Sequence, residues 1–257
     1  MIKGKKVLIT GATSGIGLLT AQMLINAGAM PILTGRNEAK LRAVCDTLNG
    51  QFGSAVMDVT DSESVLETVN RVDSEYGGID VLVNNAGFAW FETLAEAPLA
   101  HFIEMMDTNY MGTVRCTKAV LPHFMKRGSG HIVNIASMAG KIGTPKSTGY
   151  SATKHAVLGF SNALRLELQG SGIAVSAVNP GPIDTPFFET ADPGGHYVKQ
   201  VSAFMLPPEK VVHTIIKVID RRIPEIDLPR SAAVGIKLFQ LFPRISSRVA
   251  GKWLNKK

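Results

Sequence analysis

The chain has few cysteines and no long apolar run. Cys45 and Cys116 are the only two cysteines in 257 residues, too few for a disulfide framework or a cysteine-based zinc site. We therefore expect free thiols in a reducing compartment and no metal site. The apolar run after residue 6 is far too short for a signal-peptide core or a membrane span. These absences predict a cytoplasmic protein.

Acidic residues are missing from the end of the chain. No Asp or Glu follows Asp227, whereas seven Lys and Arg residues do, and the formal net charge of the whole chain is +6. The rest of the chain is therefore close to neutral, and it has no basic stripe that would indicate binding of nucleic acid. Residues 231–257 alternate apolar and basic side chains around Pro243 and predict a basic amphipathic helical extension. Such an extension can contact an anionic membrane weakly, cover the active site or pack on a neighbouring subunit.

Strand and helix patterns alternate along most of the chain. Short apolar runs at 7–10, 31–34, 54–57, 79–83, 131–135 and 173–178 predict buried strands, and helical patterns lie between them. This alternation is typical of βαβ units in a parallel sheet that is covered on both faces. We predict an α/β fold, a Rossmann-like doubly wound parallel sheet of about seven strands, as one domain over residues 1–230. The proline- and glycine-rich stretch 184–208 predicts an irregular substrate loop.

A glycine-rich turn separates the first predicted strand from the first helix. Its glycines permit a tight turn and a close approach of the backbone to a ligand, and the helix N-terminus offers free N–H groups to a pyrophosphate. The spacing G-x-x-x-G-x-G differs from the common dinucleotide fingerprint, and a plain structural turn is the alternative. The turn residues expected to bind a nucleotide are Gly11, Thr13, Ser14, Gly15, Ile16 and Gly17.

The second predicted strand ends without an acidic residue. NAD-dependent enzymes usually place an Asp or Glu there to bind the ribose 2′-hydroxyl, whereas this chain has Gly35-Arg36. A guanidinium suits a 2′-phosphate, so NADP(H) is favoured over NAD(H); the alternative is that Arg36 is a solvated charge. Asp58 and Val59 follow the third strand and are expected to border the adenine, although Asp58 could equally cap the next helix.

Tyr150 and Lys154 are spaced four residues apart, which places them on one face of a helix. A tyrosine is a poor base at neutral pH, and a nearby lysine cation lowers its pKa. The phenol can then exchange a proton with a carbonyl or alcohol oxygen. Ser137 ends the preceding predicted strand, and its hydroxyl can reach the same oxygen. A serine that merely caps the turn is the alternative.

With these motifs the chain resembles a classical short-chain dehydrogenase/reductase, of the uncharacterised bacterial type, over about residues 4–228. The motifs that carry the resemblance are Thr10-Gly11 with Gly15 and Gly17, Asn84-Asn85-Ala86-Gly87, Asn109, Ser137, Tyr150 with Lys154, and Asn179-Pro180-Gly181 followed by Thr185. The resemblance implies a homotetramer or homodimer, assembled through the helices within 99–127 and 150–169.

The same resemblance implies roles for individual residues. Tyr150 is the general acid/base, and Lys154 lowers its pKa and binds the nicotinamide ribose. Ser137 holds the substrate oxygen, and Asn109 holds a water that connects Lys154 to solvent. Further cofactor contacts are implied for Asn85, Ala86, Gly87, Pro180, Gly181, Ile183 and Thr185.

The side chains expected near the substrate are mostly apolar and aromatic. They are Phe88, Ala89, Trp90, Met138, Ala139, Gly140, Phe187, Phe188, Phe204 and Met205. They favour a small-molecule carbonyl or alcohol substrate with a hydrophobic body, although the same residues could simply pack a lid. Lys141, Lys146 and His196 could meet an anionic group or remain solvated. The predicted function is NADP(H)-dependent hydride transfer; the alternatives are a non-enzymatic NADP(H)-sensing module and a membrane-surface scaffold.

Overall fold

Seven parallel strands form the centre of the computed structural model, which describes residues 2–241. Their order across the sheet is β3-β2-β1-β4-β5-β6-β7, and every neighbouring pair is parallel. The strands are β1 Lys6–Ile9, β2 Met30–Gly35, β3 Gly53–Val56, β4 Val81–Asn84, β5 Gly130–Ile135, β6 Ile173–Pro180 and β7 Glu225–Leu228. The predicted doubly wound sheet of about seven strands is confirmed.

Helices connect the strands and cover both faces of the sheet. They are α1 Gly15–Asn26, α2 Glu38–Cys45, α3 Ser62–Glu75, α4 Leu99–Met105, α5 Gly112–Arg127, α6 Thr148–Glu167, α7 Phe187–Ala191, α8 His196–Val201, α9 Pro208–Arg221 and α10 Arg230–Leu241. A π-helical segment, Met106–Met111, joins α4 to α5, and short 3-10 turns occupy Met138–Gly140 and Ser202–Phe204.

Two apolar cores lie on opposite faces of the sheet. Successive side chains of a strand point to opposite faces, so Val7 and Ile9 belong to one core and Leu8 to the other. The first core includes Leu24 of α1 and Ile215 of α9, and the second includes Phe124 of α5. These side chains are fully buried, which explains why the strands read as unbroken apolar runs in the sequence.

The structure differs from the sequence-based prediction in three segments. The stretch 184–208 is not irregular throughout, because it contains α7, α8 and a 3-10 turn. The helical pattern 99–127 is interrupted by the π-helical segment, and α9 and β7 were not located from the sequence. Within the predicted basic extension 231–257, the structure describes α10 as far as Leu241. The second predicted helix, and with it most of the basic residues predicted to contact a membrane, lies outside the described residues.

Two further predictions concern thiols and membrane spans. Cys45 and Cys116 are free thiols, but only Cys116 is fully buried. Burial raises the pKa of the Cys116 thiol to about 12. Over residues 2–241, no helix combines the length and the apolar character that crossing a bilayer would require.

The sheet topology places the carboxyl ends of β1 and β4 side by side. From β1 the chain proceeds outward through β2 to β3, and it then returns to β4 on the other side of β1. In open α/β sheets, a ligand crevice forms at the carboxyl edge where the order reverses in this way. The glycine turn, the Asn85 segment and the ends of β5 and β6 all lie at this edge.

Candidate active site

The glycine turn after β1 is packed against the segment that follows β4. Gly11 has φ +62, and a Cβ on it would lie 2.8 Å from Cα of Ala86. A Cβ on Gly17 would lie 2.5 Å from the carbonyl oxygen of Gly11 and 2.6 Å from Nδ2 of Asn85. Side chains are therefore excluded at both positions. The glycine turn and the segment after β4 therefore form one tightly packed unit, the predicted nucleotide cradle.

Asn85 fastens the two sides of the cradle together. Its Nδ2 donates to the carbonyl oxygens of Thr10 and Gly11 at 2.9 and 3.0 Å. The Thr10 hydroxyl accepts the backbone N–H groups of Asn85 and Ala86 at 3.0 and 2.9 Å. Ser14 is the N-cap residue of α1 and has no side-chain capping bond, so the cradle ends at an uncapped helix N-terminus. Such a terminus attracts phosphate.

The remaining predicted cofactor residues border the same edge. Ile16 is partly buried against the first core, and a Cβ at Gly15 would lie 3.8 Å from Cβ of Thr185. Gly181 donates its N–H to the Leu228 carbonyl at 2.7 Å, and Ile183 forms a parallel bridge with Leu206. The predicted nicotinamide side of the cleft is thus anchored to β7 and to the segment before α9.

Arg36 directly follows β2, and the Thr13 side chain of the glycine turn packs against Gly35, the last residue of that strand. A Cβ on Gly35 would come within 2.6 Å of Cγ2 of Thr13, so the turn is tight against the strand. Arg36 is exposed. Within residues 2–241, no hydrogen bond or ion pair engages its guanidinium. An uncommitted guanidinium at this position can bind a phosphate.

Asp58 does not cap α3. Its Oδ1 accepts the N–H and hydroxyl of Thr60 at 2.9 and 2.7 Å, whereas Asp61 accepts the N–H groups of Glu63 and Ser64. The capping alternative for Asp58 is therefore wrong. The carbonyl of Val59, also expected near adenine, accepts a hydrogen bond from Arg115 of α5 at 3.2 Å.

Asn109 lies in the π-helical segment and is buried. Its Oδ1 accepts the Phe88 N–H at 2.9 Å, and its Nδ2 donates to the Phe88 carbonyl at 2.9 Å and to the Thr153 hydroxyl at 3.1 Å. A Cβ on Gly87 would lie 2.9 Å from that Oδ1 and 3.8 Å from Nζ of Lys154. Asn109 thus joins the β4 loop to α6 directly beside Lys154. π-Helical segments are frequent at functional sites.

Ser137 combines a capping role with a contact to the end of β6. Its Oγ accepts the Ala139 N–H at 3.0 Å and donates to the Pro180 carbonyl at 3.3 Å. The alternative that Ser137 caps the turn is therefore confirmed, although capping is not its only contact. Burial raises the pKa of the Tyr150 phenol, and the Ser137 hydroxyl partly offsets that rise. The bond to Pro180 and the packing of the Ser137 turn on Lys154 bring the ends of β5 and β6 close to α6.

Tyr150 and Lys154 share one face of α6, as the spacing predicts. The Lys154 Nζ lies 5.6 Å from the centroid of the Tyr150 ring and donates to the Ile135 carbonyl at 2.8 Å. Burial lowers the pKa of Lys154 to about 8. Burial also raises the pKa of Tyr150, and the Ser137 hydroxyl only partly offsets this. The net direction for Tyr150 is opposite to the sequence-based expectation.

Aromatic side chains surround the Tyr150 phenol. Phe91 and Phe187 each have a ring centroid 5.8 Å from that of Tyr150. Tyr197 of α8 stacks on Phe91 at 4.0 Å, and Phe188 stacks on Phe91 at 5.9 Å. The Phe91 N–H donates to the Ala191 carbonyl at 2.9 Å, so α7 and α8 are fastened over the site.

The structure brings most of the residues predicted for the substrate side together, whereas Phe204 and Lys141 differ from the expectation. Phe88, Ala89, Trp90, Phe187 and Phe188 belong to the aromatic cluster, and Met138 and Gly140 are buried in the turn after Ser137. Phe204 is more than half exposed and lies outside the cluster. Lys141 is ion-paired with Glu225 and Asp227 at 2.6 Å, so it is not a solvated loop charge.

Sequence reasoning missed Phe91 and Tyr197. Phe91 directly follows the predicted Phe88-Ala89-Trp90 segment, and its aromatic character was the available signal. Tyr197 gave no signal, because it lies in a stretch predicted to be irregular. The structure stacks its ring on Phe91 at 4.0 Å. Tyr197 also adds to the rise in the pKa of Tyr150 that burial chiefly causes.

Fold and site together define a class: a nucleotide-dependent oxidoreductase built on a doubly wound parallel sheet. The family model described as short chain dehydrogenase matches residues 5–194. The chain belongs to the short-chain dehydrogenase/reductase family and is an NAD(P)-dependent dehydrogenase/reductase.

Curated relatives agree with this membership. An uncharacterized oxidoreductase of Staphylococcus saprophyticus is 39% identical over 197 residues, which span 75% of this chain and 84% of the relative. The dehydrogenase/reductase SDR family protein 7-like of Drosophila melanogaster is 36% identical over 236 residues, which span 88% of this chain and 72% of the relative.

Two solved structures resemble the chain over most of its length. The closed form of serine dehydrogenase complexed with NADP+ has a TM-score of 0.80 and 33% identity, covering 87% of this chain and 94% of that one. A variant of actinorhodin polyketide ketoreductase with NADPH has a TM-score of 0.80 and 32% identity, covering 89% and 97%.

Proposed function

We propose that the protein is an NADP(H)-dependent reductase of carbonyl compounds with a hydrophobic body, and that Tyr150 is its general acid/base. The observation that carries the proposal is the position of Tyr150 among the rings of Phe91 and Phe187, with Lys154 on the same helix face and with the turn that begins at Ser137 packed against that helix. A non-enzymatic sensing module needs none of these groups together, and family membership favours the enzyme.

The proposed roles follow from chemistry and position. When bound, the nicotinamide nucleotide supplies the hydride to the substrate carbon. Ser137 donates a hydrogen bond to the substrate oxygen, and Tyr150 transfers its phenolic proton to that oxygen as negative charge develops. Lys154 supplies positive charge on the same helix face and binds ribose hydroxyls. The aromatic cluster around Tyr150 excludes water and accepts the apolar part of the substrate.

The Tyr150→Phe variant tests this assignment. We expect carbonyl reduction to fall by about 100-fold or more, because general acid catalysis typically contributes 10²–10⁴-fold. NADPH binding, followed by the fluorescence of the nucleotide, should remain close to that of the wild type. Tyr76→Phe, which changes the C-cap residue of α3, is the matched control and should keep full activity. Retention of full activity in Tyr150→Phe would refute the assignment.

The NADP(H) preference is proposed on the exposed, uncommitted guanidinium of Arg36. Charge-assisted hydrogen bonds contribute about 1.5–3 kcal/mol, which corresponds to about 10- to 100-fold in affinity. We expect Arg36→Ser to reduce kcat/KM with NADPH by about that factor and to change NADH kinetics little. Arg42→Ser, on the outer face of α2, is the control. An unchanged NADPH-to-NADH ratio in Arg36→Ser would mean that the guanidinium does not select the cofactor.

A homodimer or homotetramer is proposed through α4, α5 and α6. These helices expose Leu99 and Ile103 of α4 and Leu166 of α6, each by more than half, and exposed apolar faces of this kind favour association. Analytical ultracentrifugation of the wild type and of Ile103→Glu tests the proposal. A monomeric wild type would contradict it.

We also propose a cytoplasmic location, which fractionation of expressing cells would test.

A further inference from the structure

A four-residue polar cluster, Lys141, Asn179, Glu225 and Asp227, lies behind the proposed active site. Glu225 Oε1 and Asp227 Oδ1 each receive a contact from the Lys141 Nζ at 2.6 Å. The same two oxygens accept from Nδ2 of Asn179 at 3.0 and 2.8 Å. The side chains of Lys141, Asp227 and Glu225 are 18%, 13% and 30% exposed, and Asn179 is fully buried. The Lys141–Asp227 pair is therefore better shielded from solvent screening than the Lys141–Glu225 pair.

The two residues of the cluster that donate hydrogen bonds, Lys141 and Asn179, belong to different walls of the cleft. Lys141 is the residue that ends the 3-10 turn Met138–Gly140, whose N-cap is Ser137. Asn179 immediately precedes Pro180, whose carbonyl accepts from the Ser137 hydroxyl. The two acidic residues occupy positions i and i+2 of β7, and Asp227 is in register with Asn179. The carboxylates of one edge strand thus hold both walls.

The turn that carries Ser137 has little room to move. A Cβ on Gly140 would lie 2.6 Å from the Lys154 carbonyl oxygen, so the turn is packed directly against α6. On its other side the turn is held by the ion pairs of Lys141. The backbone carbonyl of Lys141 also accepts a hydrogen bond from Gln240 of α10 at 3.0 Å. Ser137 is consequently fixed between α6 and β7.

We propose that Lys141, Glu225 and Asp227 are positioning residues that set the distance between the Ser137 hydroxyl and the nicotinamide side of the cleft. The proposal rests on the function proposed above. Without Lys141, the Asn179 amide is the one group in the described part of the chain that is hydrogen-bonded to both like charges on this face of β7, and their repulsion moves the strand and both walls. Small displacements of a reacting group cost large factors in rate.

The test compares Lys141→Met with Lys141→Arg. In Lys141→Met we expect kcat for carbonyl reduction to fall about tenfold or more, with NADPH affinity within about threefold of the wild type. Lys141→Arg should recover at least about a third of the lost kcat, because a guanidinium can bridge two carboxylates. Lys118→Met, exposed on α5, is the control for loss of a lysine. A Lys141→Met enzyme with wild-type kcat and only a lower melting temperature would overturn the proposal.

A second variant covers the case in which Lys141→Met does not fold. Asp227→Asn keeps the volume and an acceptor for Asn179 but removes one ion pair, and we expect a smaller fall in kcat, about threefold to tenfold. An unchanged kcat in this variant would equally count against the proposal.

Amide hydrogen exchange separates this proposal from the proposed function. The N–H groups of Ala139 and Gly140 are bonded to Oγ and O of Ser137 at 3.0 and 2.9 Å. Their exchange should be about tenfold faster in a folded Lys141 or Asp227 variant than in the wild type. If the wild type reduces no carbonyl compound, the proposed function fails while this measurement still applies. Unchanged exchange would overturn the positioning role itself.

Discussion

Replacing Asn109 by alanine should destabilise the protein strongly. The side chain makes three hydrogen bonds, two with the backbone of Phe88 and one with the Thr153 hydroxyl, and it is 1% exposed. Each buried group left unpaired costs about 1–3 kcal/mol. The Thr153 hydroxyl keeps its bond to the Tyr150 carbonyl, so two groups lose their partner completely and we expect a loss of about 3–5 kcal/mol. That is a large share of the about 5–15 kcal/mol by which folded proteins are stable, and it corresponds to about 10 °C in melting temperature.

The assay is thermal and urea unfolding of Asn109→Ala beside a matched variant. Asn162→Ala makes the same chemical change at an exposed position of α6, where the amide oxygen accepts one hydrogen bond from Arg165. We expect that control to stay within about 0.5 kcal/mol of the wild type. If the two variants lose equal stability, then the three bonds of Asn109 do not hold the β4 loop to α6, and the reasoning is refuted.

Two further predictions follow from burial and close packing. Burial lowers the pKa of Lys154 from 10.5 to about 8; between these values the unfolded chain binds a proton that the folded chain has lost, so the contribution of Lys154 to stability should rise with pH in this window. The urea midpoint of the wild type should therefore rise with pH relative to that of Lys154→Met, a comparison in which the opposite effect of the buried Cys116 thiol cancels, and equal slopes would contradict it. Gly17→Ala should abolish NADPH binding, because its Cβ would lie 2.5 Å from the Gly11 carbonyl oxygen. Gly159→Ala, whose Cβ meets nothing within 4 Å, should bind NADPH normally, and normal binding by Gly17→Ala would disprove the cradle.

The strands of the sheet centre could be predicted from the sequence, whereas β7 could not. A parallel strand buried on both faces consists of apolar residues, as Val81–Asn84 and Gly130–Ile135 largely do. β7 alternates Glu225, Ile226, Asp227 and Leu228, because it is an edge strand whose acidic face meets Lys141 and Asn179. Its partners are 46 to 86 residues away along the chain, so no local pattern could reveal them.

The helices α7 and α8, which cover the proposed active site, illustrate a second limit of prediction from local sequence patterns. Proline and glycine content correctly marked 184–208 as distinct from the regular βαβ units, but α7 and α8 are too short to show a helical period. Their position depends on tertiary contacts, chiefly the stacking of Tyr197 and Phe188 on Phe91. Aromatic stacking between distant segments has no signature in either segment alone.

Helical spacing predicted correctly that Tyr150 and Lys154 share a face, but it could not predict how deeply they are buried. Burial has the same effect on both groups: it favours the neutral form, which raises the pKa of Tyr150 and lowers that of Lys154 to about 8. The phenol therefore keeps its proton at neutral pH and is ready to donate it to a carbonyl oxygen. Alcohol oxidation requires the phenol to lose that proton, and burial of the phenol opposes this loss. Initial rates between pH 6 and 10 should therefore show oxidation rising with pH more steeply than reduction, and parallel profiles would mean that burial does not control the protonation of Tyr150 during turnover.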